Sequence, residues 1–216
     1  MTFQQDIYEA ILNGDSREAE EGVIAALAAG LPAEALLREA LIAAMTEVGA
    51  RFECGEYYVA EMLVSAHAMK AGLKHLRPHL TAAAVEPIGT VVIGTVKGDL
   101  HDIGKNLVAM MLEGAGFRVI DLGVNVPAER FAQAVREAEV DIVALSALLT
   151  TTMNAMQSVV ETLVRQGLRE RVKVLIGGAP ITQAFADHIG ADGFAPDASA
   201  AATRARQLLG CAGQPR

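Results

Sequence analysis

Cysteine and tryptophan are nearly absent from the 216 residues: there are two cysteines and no tryptophan. Cys54 and Cys211 stand far apart, and neither belongs to a cluster with metal-ligand spacing, so a cysteine-held metal is excluded and a reducing compartment is expected. A basic surplus is missing as well, with 18 Lys and Arg against 26 Asp and Glu and a net charge of −8. Neutralising phosphates needs an excess of cations on one face, so nucleic acid is not the expected partner. The opening residues show no basic segment followed by an apolar one, and no signal peptide is read there. The longest uncharged run, Ile142 to Val160, is broken by Ser146, Thr150, Thr151, Thr152, Asn154, Gln157 and Ser158, which a membrane span tolerates poorly. A cytoplasmic location is expected. Neither a G-x-G-x-x-G fingerprint after the first predicted strand nor a G-x-x-x-x-G-K-[ST] loop occurs.

What is present is a globular composition, 52% hydrophobic and 20% charged, in a chain long enough for one large or two small domains. The first part has helical periodicity. Phe3, Ile7, Ile11 and Leu12 share one face, Gly14 and the capping residue Asp15 separate a second helix ending near Ala29, and Pro32 opens a third that lasts until Gly55. A fourth is expected from Val59 to Leu76, before Pro78. Four amphipathic helices with short turns read as a bundle over residues 1–80.

Residues 81–88 are alanine-rich, end at Pro87 and read as a linker. Over 89–216 strands alternate with helices: apolar runs at 90–96, 117–122, 141–146, 172–176 and 193–195 are each followed by a helical pattern. That alternation predicts an α/β domain with a five-stranded parallel sheet in a flavodoxin-like or Rossmann-like order. The unusual residues fall after the strands. Gly98, Asp99 and His101 follow the first, Gly123 and Val126 the second, Ser146, Leu148, Thr150 and Thr152 the third, and Gly177 and Gly178 the fourth. Ligands of open parallel sheets bind at that edge, where glycines allow close backbone approach and hydroxyls supply hydrogen bonds.

The pattern Asp99-x-His101-x-x-Gly104, followed by Ser146-x-Leu148 and Gly177-Gly178, resembles the cobalamin-binding domain shared by cobalamin-dependent methionine synthase, several mutases and the corrinoid proteins of methyltransferase systems. The likeness is strongest to the small methyl carriers serving methylamine, methanol and methoxy-compound methyltransferases, and it covers nearly the whole chain. The segment Phe52 to Leu63 resembles the helical cap motif of those proteins, with Ala60 where relatives often have proline.

The resemblance implies that cobalamin binds base-off, His-on, with His101 as the cobalt ligand and Asp99 fixing its tautomer. Thr152 takes the place of a serine that continues this relay in methionine synthase. Gly98, Asp102, Ile103 and Gly104 would line the loop beside the cofactor, and Gly104 would let the displaced nucleotide tail pass. Ser146, Leu148 and Thr150 would meet the buried base, Gly177-Gly178 the tail, and Gly123 and Val126 the edge beside them. Tyr57, Tyr58, Met62 and Leu63 would cover the upper face of the corrin. The implied function is a methyl carrier, non-catalytic alone. One methyltransferase loads it, a second passes the methyl group to tetrahydrofolate or a thiol, and a reductive activase is a further implied partner. Two alternatives stay open: a cobalamin-dependent sensor, against which stand the acidity and the lack of tryptophan in the cap, and the small subunit of an adenosylcobalamin mutase.

Other residues read as structural. His67, His75, His79 and His188 are expected to be solvated or satisfied, Lys105 and in the first place Asp102 to serve the helix start, Asp197 to cap the last helix, and Met110, Met111, Met153 and Met156 to fill the core.

Overall fold

The computed structural model describes residues 2–211. Two compact units emerge from it: the residues up to Glu86 with Gly114–Gly116, and Pro87–Glu113 with the chain from Phe117 on.

The first unit is helical. Helix α1 (Phe3–Leu12) starts where the Thr2 hydroxyl accepts from the Gln5 amide, and α2 (Ser16–Ala28) where the Asp15 carboxylate accepts from the Arg17 and Glu18 amides. The predicted third helix is continuous but not uniform: α3 (Ala33–Ala35) passes through a π-helical segment, Leu36–Ile42, into α4 (Ala43–Glu53). Helix α5 (Val59–Ala82) overruns its expected end at Leu76 and contains Pro78. The proline removes one backbone donor, but it is exposed, and the apolar stripe Met69, Leu73, Leu76 and Leu80 continues beyond it into the interior. Burying each such side chain is worth roughly 1.5–3 kcal/mol, comparable to the cost of the proline. Ile7, Ile11, Val23, Leu36, Leu41, Val48 and Met62 complete this core.

The second unit is a five-stranded parallel sheet in the order β2-β1-β3-β4-β5, formed by β1 (Thr90–Thr95), β2 (Arg118–Asp121), β3 (Ile142–Ser146), β4 (Lys173–Gly177) and β5 (Gly193–Ala195). Of the two expected orders, it is the flavodoxin-like one. Strand β1 is buried at every position, as a central parallel strand covered on both faces must be. The crossover helices are α6 (Ile103–Gly114), α7 (Ala128–Glu137), α8 (Met153–Arg165) and α9 (Gln183–Ile189), and α10 (Ala198–Leu208) follows β5. Asp197 caps α10 by accepting from the Ala200 amide. Phe131, Val135, Met156, Val159 and Leu163 pack with Val92, Val143, Val174 and Ile176 in one core cluster. Strand order reverses between β1 and β3, so the connections leaving them diverge and open a crevice at their carboxyl ends.

Candidate functional site

Strand β1 ends in a four-residue turn, closed by the Asp99 amide donating to the Val96 carbonyl at 3.1 Å, with Gly98 at φ +86° in its third position. The turn sends the Asp99 side chain inward, where it is fully buried. A buried carboxylate must be satisfied, and this one is. Its Oδ1 accepts from His101 Nδ1 at 2.7 Å and from the His101 amide at 3.1 Å. Its Oδ2 accepts from the Leu148 amide at 2.8 Å, the Leu149 amide at 3.3 Å and the Thr152 hydroxyl at 2.7 Å. The carboxylate thus bridges the loops after β1 and β3. Burial pushes its pKa up, but the Leu148 amide, the Thr152 hydroxyl and His101 outweigh burial and hold it well below the usual carboxylate range.

This arrangement dictates the state of His101. A charged carboxylate against Nδ1 requires the proton on Nδ1, which leaves the Nε2 lone pair outward on a half-exposed ring. Nε2 has no hydrogen-bond partner among the described residues. The Thr152 hydroxyl has one hydrogen and two acceptors, Asp99 Oδ2 and the Leu149 carbonyl at 2.8 Å. The charged oxygen is the stronger acceptor. A further anchor is the buried Thr95 hydroxyl, which donates to the His101 carbonyl at 2.8 Å.

Exposed apolar side chains share this edge with the ring. Leu100 and Ile103 are 70% and 75% exposed, and Leu148, Leu149 and Val124 are exposed beside them on the same edge of the sheet. Among the described residues no group of three or more His, Cys, Asp or Glu could hold a metal ion. What this edge offers a ligand is the Nε2 lone pair of His101 beside exposed apolar side chains. The residues fit a corrinoid.

The glycines divide into two kinds. A Cβ on Gly178 would stand 1.9 Å from the Ala147 carbonyl oxygen, and one on Gly177 2.9 Å from that of Ala195, so the strand ends themselves demand this pair. Gly104 is different: it lacks a positive φ and a Cβ there would meet nothing within 4 Å. Nothing in the fold requires glycine near the start of α6, where it costs roughly 1 kcal/mol against alanine. Close approach of a ligand would require it.

Asp102 is exposed and accepts from the Asn106 side chain at 3.3 Å, in keeping with a helix-start role. Ser146 and Gly123 are half-buried and Thr150 exposed at the same edge. Two expected contacts need correction. Val126 is buried in the sheet core, so only its backbone belongs to the site. Met62 is fully buried among the helices, where its long side chain fills the bundle, and offers no surface to a ligand. Leu63 is half-buried and Tyr58 is 70% exposed. Tyr57 is structural: its hydroxyl donates to the Leu12 carbonyl at 3.1 Å and its ring lies 5.3 Å beneath the Arg51 guanidinium. His67 bonds the Leu63 carbonyl, His75 pairs with Glu20, and His79 and His188 are exposed.

Lys105 also differs from expectation. It does not serve the helix start but is buried, with Nζ ion-paired to Asp121 at the end of β2 and bonded to Asn106 Oδ1 at 2.6 Å. The sequence signal for it was a lone lysine seven residues before Leu112 on the apolar stripe of α6. Asn125 was also missed. It holds φ +54° and bonds the turn carrying Asp99.

Comparison with known proteins agrees with this geometry. The B12 binding domain profile matches residues 89–203, and a second profile, also described as a B12 binding domain, matches residues 4–77. The chain is 42% identical to dimethylamine corrinoid protein 3 of Methanosarcina acetivorans over 94% of its length and 95% of the relative's. It is also 42% identical to the trimethylamine corrinoid protein of Methanosarcina barkeri, over 93% of its length and 94% of the relative's. Among solved structures, the methanol:cobalamin methyltransferase complex of Methanosarcina barkeri contains a chain 31% identical, with a TM-score of 0.86, over 96% of this chain and 80% of that one. No helix among the described residues is long and apolar enough to cross a membrane.

Proposed function

The chain belongs to the corrinoid proteins built on B12 binding domains, and from that premise we propose that it carries a methyl group on cobalamin held base-off, with His101 as the lower axial ligand. As a family member it binds a corrinoid. The observation that carries the finer reading is the buried Asp99 carboxylate, which accepts the Nδ1–H hydrogen bond and leaves Nε2 of His101 without a partner among the described residues, beside exposed apolar side chains. A bound corrinoid supplies the cobalt and with it the methyl-transfer chemistry.

The residues of the chain do the rest. Leu100, Ile103, Leu148 and Leu149 support the flat face and exclude water from it. Gly98 and Gly104 keep the approach open, and Ser146 and Thr150 offer hydroxyls to the displaced base. In this reading the tail would run past the Gly177-Gly178 strand end, with Gly123 bordering the same edge. Domain limits of 1–80 and 89–216, joined by 81–88, go with this reading. The partners are a substrate-specific methyltransferase that loads the carrier and a second that passes the methyl group to tetrahydrofolate or a thiol, with a reductive activase restoring the cofactor. The methanol:cobalamin methyltransferase complex that contains a similar chain supports the first of these partners.

The test is the visible spectrum of protein incubated with cobalamin and separated by gel filtration, wild type beside His101→Ala. Co-eluting cobalamin with nitrogen ligation only in the wild type is expected. Identical spectra would remove His101 from the cobalt. A holoprotein that no methylamine-class or methanol-class methyltransferase can methylate would sink the carrier reading.

A further inference from the structure

Asp99 fixes the tautomer of His101, but it does not fix where the backbone bearing both residues stands at the edge of the sheet. That is set by the turn Val96–Asp99, whose outward peptide groups include the Gly98 N–H and the Asp99 carbonyl. Both are taken by one residue of the β2–α7 loop. Asn125 Oδ1 accepts from the Gly98 amide at 2.8 Å, and the Asn125 amide donates to the Asp99 carbonyl at 2.9 Å. Because the Gly98 group is a donor, the Asn125 atom facing it must be the oxygen.

The Asn125 backbone is at φ +54°, a region that only Gly, Asn and Asp enter readily. Glycine would meet the backbone need at less strain. The side-chain acceptor is what asparagine adds. The loop that carries Asn125 is fixed in its turn. Gly123 accepts from the Thr95 amide at 2.9 Å and donates to Asp121 Oδ1 at 2.8 Å, and Asp121 Oδ2 is held by the buried Lys105 ammonium on α6. The contacts close a ring: the β1 turn, Asp99–His101, α6, Lys105, Asp121, Gly123, Asn125, and back to the turn.

We propose that Asn125 is a positioning residue for His101: by holding the Gly98 and Asp99 peptide groups, with its own loop braced by Asp121 and Lys105, it sets the reach of the imidazole toward an axial position. The proposal rests on His101 being the cobalt ligand. It adds that axial ligation is coupled to the β2–α7 loop, whose neighbouring residue Val124 is exposed at the same edge.

The variants are Asn125→Gly, which accepts the backbone conformation and removes the acceptor, and Asn125→Asp, which keeps both. Each is loaded with cobalamin, reduced to Co(II) and measured for axial nitrogen splitting in its paramagnetic resonance spectrum, alongside cobalamin retained on gel filtration and the melting temperature of the apoprotein. Losing one hydrogen bond to the turn should lower the His-on to His-off ratio of Asn125→Gly roughly fivefold, with cobalamin still retained and Asn125→Asp close to wild type. The proposal is overturned if Asn125→Gly keeps the wild-type ratio, if Asn125→Asp falls as far as Asn125→Gly, or if the apoprotein melts lower with no change in nitrogen splitting. Loss of cobalamin itself from Asn125→Gly would make Asn125 a binding contact and overturn it too. A wild type without nitrogen splitting would instead refute His101 as the ligand, so the two failures are told apart.

Discussion

Replacing Asp99 by asparagine removes a charge and almost no volume, and the consequence can be worked out donor by donor. In the native protein every group facing the carboxylate donates: three on Oδ2 (Leu148 N, Leu149 N, Thr152 Oγ1) and two on Oδ1 (His101 N and Nδ1). An amide has one accepting oxygen and one donating NH2, so one side must become a clash of donors. Toward the β3 loop the NH2 would oppose two peptide amides that cannot reverse. Toward His101 it would oppose one peptide amide and a ring nitrogen that can, by moving its proton from Nδ1 to Nε2. The second orientation wins. Asp99→Asn is therefore expected to switch His101 to the Nε2–H tautomer and remove the outward lone pair that the proposed cobalt ligation needs. A hydrogen bond to a charged acceptor is worth about 1.5–3 kcal/mol, so the native carboxylate favours Nδ1–H by roughly 10- to 100-fold. The assay is long-range proton–nitrogen correlation of histidine-labelled apoprotein at a pH where the ring is neutral, which needs no cofactor. Retention of Nδ1–H in the variant would refute the reasoning.

The same carboxylate predicts a pH profile. Its folded pKa lies below the unfolded one, so its contribution to stability is full above the ordinary carboxylate range and is lost progressively as pH falls from there to the depressed folded value. In denaturant titrations the stability difference between wild type and Asp99→Asn should be equal at pH 7 and pH 5 and smaller at about pH 3; a difference already shrinking between pH 7 and 5 would contradict the assigned direction. Thr152→Val deletes a donor to a buried charge and should cost about 1.5–3 kcal/mol of apoprotein stability in the same titrations, with Thr152→Ser recovering most of it. The two kinds of glycine should separate cleanly. Gly178→Ala, whose Cβ would meet the Ala147 carbonyl oxygen, should lose roughly 3 kcal/mol or more of stability. Gly104→Ala should leave the apoprotein as stable or up to about 1 kcal/mol more so, yet weaken cobalamin retention by about five- to a hundredfold through overpacking against the ligand. Unchanged retention by Gly104→Ala would show that no ligand approaches there.

The parallel sheet and its ligand edge were legible because both rest on patterns that cannot be read another way. Strands buried on both faces must be continuous apolar runs, and the loop after β1 is placed at the edge by chain order alone. Asp99, His101 and Thr152 lie within that logic, though 53 residues separate the last hydroxyl from the carboxylate it meets. What escaped depends on side chains meeting across elements. Lys105 looked like a helix-start residue because a lysine four positions after His101 is normally solvated, and only Asp121 on the neighbouring strand makes its burial affordable. Asn125 sits in a loop whose sequence shows turn propensity but not which turn it will hold. Helix α5 runs past Pro78 because Leu80 still has a core to enter, which local propensity cannot report. Met62 lies next to candidate ligand contacts in sequence, while its helical phase turns it inward.

The position of Asp99 follows from the reversal of strand order. The connection after β1 leads to β2 on one side, and that after β3 leads to β4 on the other, so no backbone ladder ties the two loops together where they part. A crevice formed in this way would be loose at its base. A single buried carboxylate accepting from both loops closes it, and since all of its donors come from the protein the closure needs no ligand. The imidazole is therefore oriented before any cofactor arrives, with Leu100 and Ile103 exposed on the β1 side and Leu148 and Leu149 on the β3 side. Side chains of that kind, left unburied on both banks of the crevice, gain stability when a flat apolar surface covers them. The free energy of covering them is then available for holding a corrinoid, while the cost of ordering the imidazole has already been met in folding.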